Sequence, residues 1–144
     1  MYSLNPNPQD DSSPTPGGIT ILVHSSVFHT NLKLNSNLQV QAVRISLHHT
    51  ITICNIYIPP HATPTEKEIE DLILQLPPPF VFMGDFNAHH SLWGSQKQNQ
   101  KGRLIGNIIL NNDITLLNTK QSTNIYILLW ALYQVLTLLC VLKQ

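Results

Sequence analysis

The chain has 144 residues, a formal net charge of zero and 11% charged residues, against about 25% in an average soluble domain. An apolar fraction of 42% excludes a disordered chain, and the lack of excess positive charge gives no support to strong nonspecific DNA binding, which needs basic surface. The length fits one domain, and because sandwich folds often run to about 200–250 residues as one unit, it also fits a piece of one. Residues 1–18 are rich in Asn, Pro, Asp and Ser and end in Pro16-Gly17-Gly18, which predicts a loop or frayed end. Ile19 to Val23 then reads as a strand. Residues 38–48 place Leu38, Val40 and Ala42 in alternation, followed by Val43, Ile45 and Leu47, with Gln39, Gln41, Arg44 and Ser46 between them. The change of phase between Ala42 and Val43 predicts a bulge. Ile51 to Ile58 is another β-branched run, and His48-His49-Thr50 predicts a hairpin turn before it.

Pro59-Pro60 ends that strand, and the spacing predicts a helix over 64–76. Thr63 is the expected N-cap, Pro64 the first helical residue and Glu66 the partner that closes a capping box. Ile69, Leu72, Ile73 and Leu76 form one apolar stripe. Pro77-Pro78-Pro79 stops the helix, and Phe80 to Met83 reads as a short strand covered on both faces. Residues 88–103 read as a long polar loop. A helix over Leu104 to Leu110 turns Leu104, Ile105, Ile108 and Ile109 inward and ends at Asn111-Asn112, since Asn tolerates the left-handed conformation. Ile114 to Leu117 is one more strand. Residues 125–142 are almost wholly apolar, at the lower edge of a membrane-span length. Cys54 and Cys140 lie in apolar runs with no metal-type spacing, which predicts neither a disulfide framework nor a zinc site. The N-terminus has no secretory pattern, so an intracellular chain is the expectation.

Asp85 and Asn87 are the sharpest chemical feature. Both follow an apolar strand, and the two-residue period of a strand projects them to one side while Phe86 points the other way, into packing. A carboxylate can ligate a hard metal or orient an attacking water, and a neutral amide can donate to a phosphate oxygen without repelling it. That pairing suits phosphodiester hydrolysis. The tetrapeptide by itself reads equally as a turn, because Gly, Asp and Asn are common turn formers.

Larger blocks carry a resemblance. Gly84-Asp85-Phe86-Asn87-Ala88-His89-His90, then Leu92-Trp93-Gly94 and Gly102-Arg103-Leu104, resembles the central block of non-LTR retrotransposon endonucleases, members of the endonuclease/exonuclease/phosphatase superfamily. Ile53-Cys54-Asn55-Ile56-Tyr57-Ile58-Pro59-Pro60 is similar to the strand and turn that precede it, and Gly17-Gly18-Ile19-Thr20-Ile21-Leu22-Val23 to an earlier strand. The likeness runs over residues 2–123 in the expected order, which is far more specific than any one motif. It implies a four-layer α/β sandwich of two packed β-sheets flanked by helices, here incomplete. It implies a DNA substrate, a nuclear location if the function is kept, and a divalent metal, usually Mg2+, with Asp85 a possible ligand. Asp85 would orient or activate the nucleophilic water, Asn87 would contact the scissile phosphate, and Tyr57 would approach that phosphate through its hydroxyl.

The chain also departs from the pattern. The family places an Asn and a metal-binding Glu on earlier strands, and a final Asp followed by an Asp-His pair; here Glu66 is the first glutamate and His90 the last histidine. The expected organisation is therefore a loop over 1–18, a partial endonuclease domain over 19–123 that is truncated at both ends, and an apolar tail over 124–144. The tail has three readings: a membrane span, a cover for exposed core, or out-of-frame translation. Weaker candidates for nucleic-acid contact are His89 and His90 after the motif, Trp93 by stacking, and the basic cluster Lys97, Lys101 and Arg103. Each has an ordinary alternative. The histidines can shape the loop, Trp93 can anchor it to the core, and the basic residues can be a solvated loop.

Overall fold

The structure is a computed structural model that describes residues 2–3, 18–112, 114–117 and 137–141. It is α/β, with one layer of helices on a mixed sheet, as in half of an α/β sandwich. Strands β1 (Tyr2–Ser3) and β2 (Leu22–Val23) form a two-stranded antiparallel pair. Strands β3 (Phe28–Leu32), β4 (Gln39–Ser46), β5 (Thr50–Tyr57), β6 (Phe80–Asp85), β7 (Thr115–Leu116) and β8 (Thr137–Val141) form a six-stranded sheet in the order β3-β4-β5-β6-β8-β7. The β3-β4 and β4-β5 pairs are antiparallel, and the pairs from β5 to β7 are parallel.

Why the sheet sits where it does follows from its alternation. Ala42, Cys54, Ile56 and Phe82 face the helices and join the main core. Ile45, Ile51, Ile53, Val81 and Met83 form a smaller cluster on the opposite face. The expected bulge between Ala42 and Val43 is absent, because the β4-β5 register is unbroken from Gln39 to Ser46. Ala42 and Val43 are buried on opposite faces of β4 while its other residues are half-buried, and the apparent phase change marks a switch in which face is apolar. Gln39 and Gln41 thus share a face with Val43 and Ile45, while Arg44 and Ser46 lie with Ala42. The hairpin at 47–49 closes with Leu47 N donating to His49 O at 3.2 Å.

The crossover from β5 to β6 contains helix α1 (Glu66–Ile73). Its N-cap is Thr65, not Thr63: Glu68 N donates to Thr65 Oγ1, and Thr65 N donates back to Glu68 Oε2 at 2.7 Å. Two overlapping Thr-x-x-Glu boxes compete here. The later one leaves Pro64 buried just before the cap and Ile69 buried in the first full turn, the positions of a hydrophobic staple. Ile69, Leu72 and Leu76 are buried in the main core and Ile73 packs at its margin, although residues 74–76 continue as a turn rather than as helix. The Pro77–Pro79 connection is held by buried Thr52, whose Oγ1 donates to Pro77 O at 2.7 Å and whose N donates to Pro79 O at 2.9 Å.

After β6 the chain makes a 3-10 turn over Ser91–Trp93 and then helix α2 (Gln100–Asn111), which starts four residues before Leu104. Ile105, Ile108 and Ile109 are buried and Leu104 packs against them. Asn112 ends α2 in an extended, not left-handed, conformation, and its side chain donates to Ile108 O at 2.9 Å. Of the apolar tail, residues 137–141 form β8, paired on both sides within the sheet. Residues 124–136 and 142–144, like most of the expected N-terminal loop, lie outside the described residues. Among the described residues no helix is long and apolar enough to cross a membrane.

Candidate functional site

A cleft of about 250 Å³ lies on the face away from the helices, at the carboxyl ends of β5 and β6. Asn55, Tyr57 and Asp85 line it, with Gly84 beneath and residues 18–20 across one side. Tyr57 is in register with Asp85 in the parallel β5-β6 pair, which sets both side chains on one face. The crossing segment is tied down by Ile21 N donating to Gln41 Oε1 at 3.0 Å. This segment pairs as a strand only at Leu22–Val23, shorter than the predicted Ile19 to Val23.

Gly84 is required where it stands. Its φ is 143°, and a Cβ would overlap the Ile56 carbonyl oxygen, so any side chain would push β6 away from β5 and separate Asp85 from Tyr57. Beyond it, Asn87 adopts a left-handed φ of 46°, a conformation that Asn tolerates better than most residues. Its N donates to Asp85 Oδ1 at 2.9 Å and its Nδ2 donates to Ile58 O at 3.0 Å. One amide hydrogen of Asn87 is thus used to lock the exits of β5 and β6 together, and Ile58 N completes the lock by donating to Asp85 O at 2.9 Å. Phe86 is fully buried and meets Phe82 edge-on at 5.3 Å.

The loop after the motif is organised by Asn99, which the sequence did not single out. It caps α2, its Oδ1 accepts from Gly102 N at 2.7 Å and from His89 N at 3.0 Å, and its Nδ2 donates to Asn87 O at 2.9 Å. Gly102 is demanded by the same junction, since a Cβ there would overlap the His89 carbonyl. His90 caps the 3-10 turn by accepting from Leu92 N at 3.1 Å, and its ring lies 5.2 Å from that of Trp93. His89 is half-buried with Nδ1 3.4 Å from Ser95 Oγ. Trp93 is 1% exposed, with Nε1 donating to Ala88 O at 3.0 Å; it anchors the loop and has no face open for stacking on a base.

The basic cluster divides. Lys97 and Arg103 are exposed. Lys101 is 5% exposed, and its Nζ donates to Pro59 O at 2.8 Å and to Pro60 O at 2.9 Å. Its position in the first turn of α2 turns it inward, away from any solvent-borne phosphate. Burial pushes the Lys101 ammonium below the ordinary lysine value, and the Asp85 carboxylate pulls it back up. Cys54, deep in the core, has its thiol pushed up to about 12 by burial, which leaves it protonated and inert.

The carboxyl ends of parallel strands are where open α/β sheets usually bind their ligands, and here a carboxylate and a phenol line the cleft at that position. Comparison with known proteins gives this arrangement a family. Residues 51–128 match the family described as endonuclease-reverse transcriptase, and the chain belongs to it. It is 33% identical over 110 residues to a probable RNA-directed DNA polymerase from transposon X-element of Drosophila melanogaster. It is 27% identical over 110 residues to the RNA-directed DNA polymerase from mobile element jockey of Drosophila funebris. Each of these matches covers 74% of this chain and 12% of the relative, so the chain spans about an eighth of the length of these proteins. No solved structure matches it. The chain carries an endonuclease-type domain of retrotransposon origin.

Proposed function

We propose that the cleft over Tyr57 and Asp85 is part of a metal-dependent DNA endonuclease site, and that this chain by itself does not nick DNA. The observation that carries the reading is the pairing of Tyr57 with Asp85 on one face, with Asn87 fixed to Asp85 at 2.9 Å. Asp85 can orient a water for attack on phosphorus. The Tyr57 hydroxyl can donate to a non-bridging phosphate oxygen, while Asn87, which is not among the residues lining the cleft, holds Asp85 in place through its backbone N–H. The donors suit Mg2+, a hard ion that takes oxygen ligands and is commonly held by one or two carboxylates together with waters and substrate phosphates. Asp85 and the Asn55 amide oxygen would hold it, and when bound it would neutralise charge on the reacting phosphate.

The second part of the proposal rests on what the cleft lacks. Asp85 is the single acidic residue lining it among the described residues, and no glutamate precedes Glu66 and no histidine follows His90 in these 144 residues. Loss of one preorganised electrostatic donor costs about 10²–10³-fold in rate, and loss of a metal ligand and a His together should cost at least as much, though such losses are not additive. The test is nicking of supercoiled plasmid by the purified chain with Mg2+, beside Asp85→Ala. No nicking above that of the variant is expected. Robust nicking that disappears in Asp85→Ala would overturn the inactivity and keep the site. The exposed Lys97 and Arg103 support a second reading, a noncatalytic DNA-binding module, which predicts salt-dependent retention of duplex DNA.

A further inference from the structure

We propose that β3 is an interface strand, through which two copies of this chain join edge to edge and antiparallel, about a two-fold axis at Thr30. The proposal does not depend on the endonuclease reading, because β4 separates β3 from the strands of the cleft. Strand β3 stands at one end of the six-stranded sheet and, among the described residues, pairs only with β4. The outer row of its backbone N–H and C=O groups is therefore set to receive another strand. Edge strands usually block such pairing with a proline, a charged side chain, a bulge or a very short length. Phe28-His29-Thr30-Asn31-Leu32 has none of these. It contains no Pro, Asp, Glu, Lys or Arg, and its register with β4 runs unbroken from Phe28 to Leu32. The opposite edge differs, since β7 is two residues long.

The side chains of β3 select a second β3 as the strand that fits. Leu32 is in register with Ala42 and packs at the margin of the main core, so Phe28, Thr30 and Leu32 share the helix-covered face. Antiparallel self-pairing about Thr30 sets Phe28 opposite Leu32 of the second copy, His29 opposite Asn31, and Thr30 opposite Thr30. Apolar residues meet on the helix face, polar residues meet on the other, and no charge meets its like. Phe28 is 71% exposed in the single chain, and Leu32 of the second copy would cover it, a cross-strand contact of the kind that stabilises sheets. A slip of two residues would set Thr30 opposite an apolar residue and pair three residues of β3 instead of five. A slip of one would set the two faces against each other. Pairing with β7 of another copy would engage two residues only, which disfavours open-ended growth, whereas the two-fold contact closes on itself.

Five residues a side is well below the roughly 20–30 of a stable complex, so the dissociation constant should be on the order of 0.1 mM. The test is sedimentation equilibrium of the whole chain from ~10 µM to ~1 mM. The mass should rise from that of one copy, 16.2 kDa, toward two copies and no further. Thr30 is exposed, so changes there leave the core untouched. Thr30→Lys would set two ammonium groups opposite each other and should weaken association ~3-fold, and Thr30→Glu should do the same with two carboxylates. An equimolar mixture of these variants should associate ~10-fold more tightly than either by itself. A native chain that stays monomeric throughout, a mass that climbs past two copies, or a mixture no tighter than its components would each overturn the proposal.

Discussion

The helix-covered face of the sheet buries Cys54, Ile56 and Phe82 almost completely, whereas the opposite face leaves Ile45, Ile53 and Met83 half-buried in the same layer as Asn55, Tyr57 and Asp85. The first face carries the main apolar cluster, packed against α1 and α2. The second carries polar residues at the strand ends, where apolar burial would hide the chemistry. Neighbouring residues of one strand thus serve different ends, and Phe82 and Met83 make the contrast testable at adjacent positions. Phe82→Ala should cost about 3–5 kcal/mol, the range for a large aromatic removed from a packed core. Met83→Ala should cost about 1 kcal/mol, since part of its apolar area is already in water. Urea unfolding of the two variants checks this, and equal losses would mean that the second face carries as much of the stability as the first.

That contrast also explains what could be read from the sequence. The β5-α1-β6-α2 region was legible because its apolar positions keep one period and its ends carry Pro or capping residues. Strand β3 was not, since Phe28–Leu32 is an edge strand with Phe28 71% exposed and has little burial to impose a pattern. The phase change at Ala42-Val43 mimics a bulge because the apolar positions switch faces in the middle of an unbroken strand. In the cleft, Asp85 stands out as a carboxylate at the exit of an apolar strand and Tyr57 only through the resemblance, and pairing in space shows why both lie on one face. Lys101 was read as a surface cation because charge in a loop is usually solvated; nothing in its neighbours signals the two proline carbonyls that draw it inward.

The loop after β6 sharpens the comparison, because it is held by polar bonds where the core is held by packing. Asn99→Ala would leave Gly102 N and His89 N without their acceptor and Asn87 O without its donor. Loss of an N-cap costs about 1 kcal/mol, and leaving further buried donors unpaired raises the total to about 2 kcal/mol. Hydrogen exchange should show the 87–102 amides opening more readily while the amides of β5 are protected as before. Equal loss of protection in both would mean that the loop and the core unfold as one unit.

The smallest expected effect lies at the far end of α1, on the helix layer but fully in solvent. Glu68 accepts from Thr65 N and from Thr65 Oγ1, at 2.7 and 2.8 Å, and these bonds hold its carboxyl below the ordinary value of 4.5, the backbone bond contributing most. A folded-state value lower than the unfolded one means that the unfolded chain takes up the proton first. The stabilisation is therefore complete above the unfolded value, near pH 4.5, and is lost as the pH falls through the folded value. Glu68→Gln keeps an acceptor for the capping box but cannot titrate. Native chain should unfold at a higher urea concentration than Glu68→Gln at neutral pH, and the gap should narrow as the pH falls below 4.5. Parallel pH profiles for the two proteins would show that the carboxylate charge adds nothing to the cap. A gap that widened on acidification would reverse the sign and mean that Glu68 is held above, not below, its unfolded value.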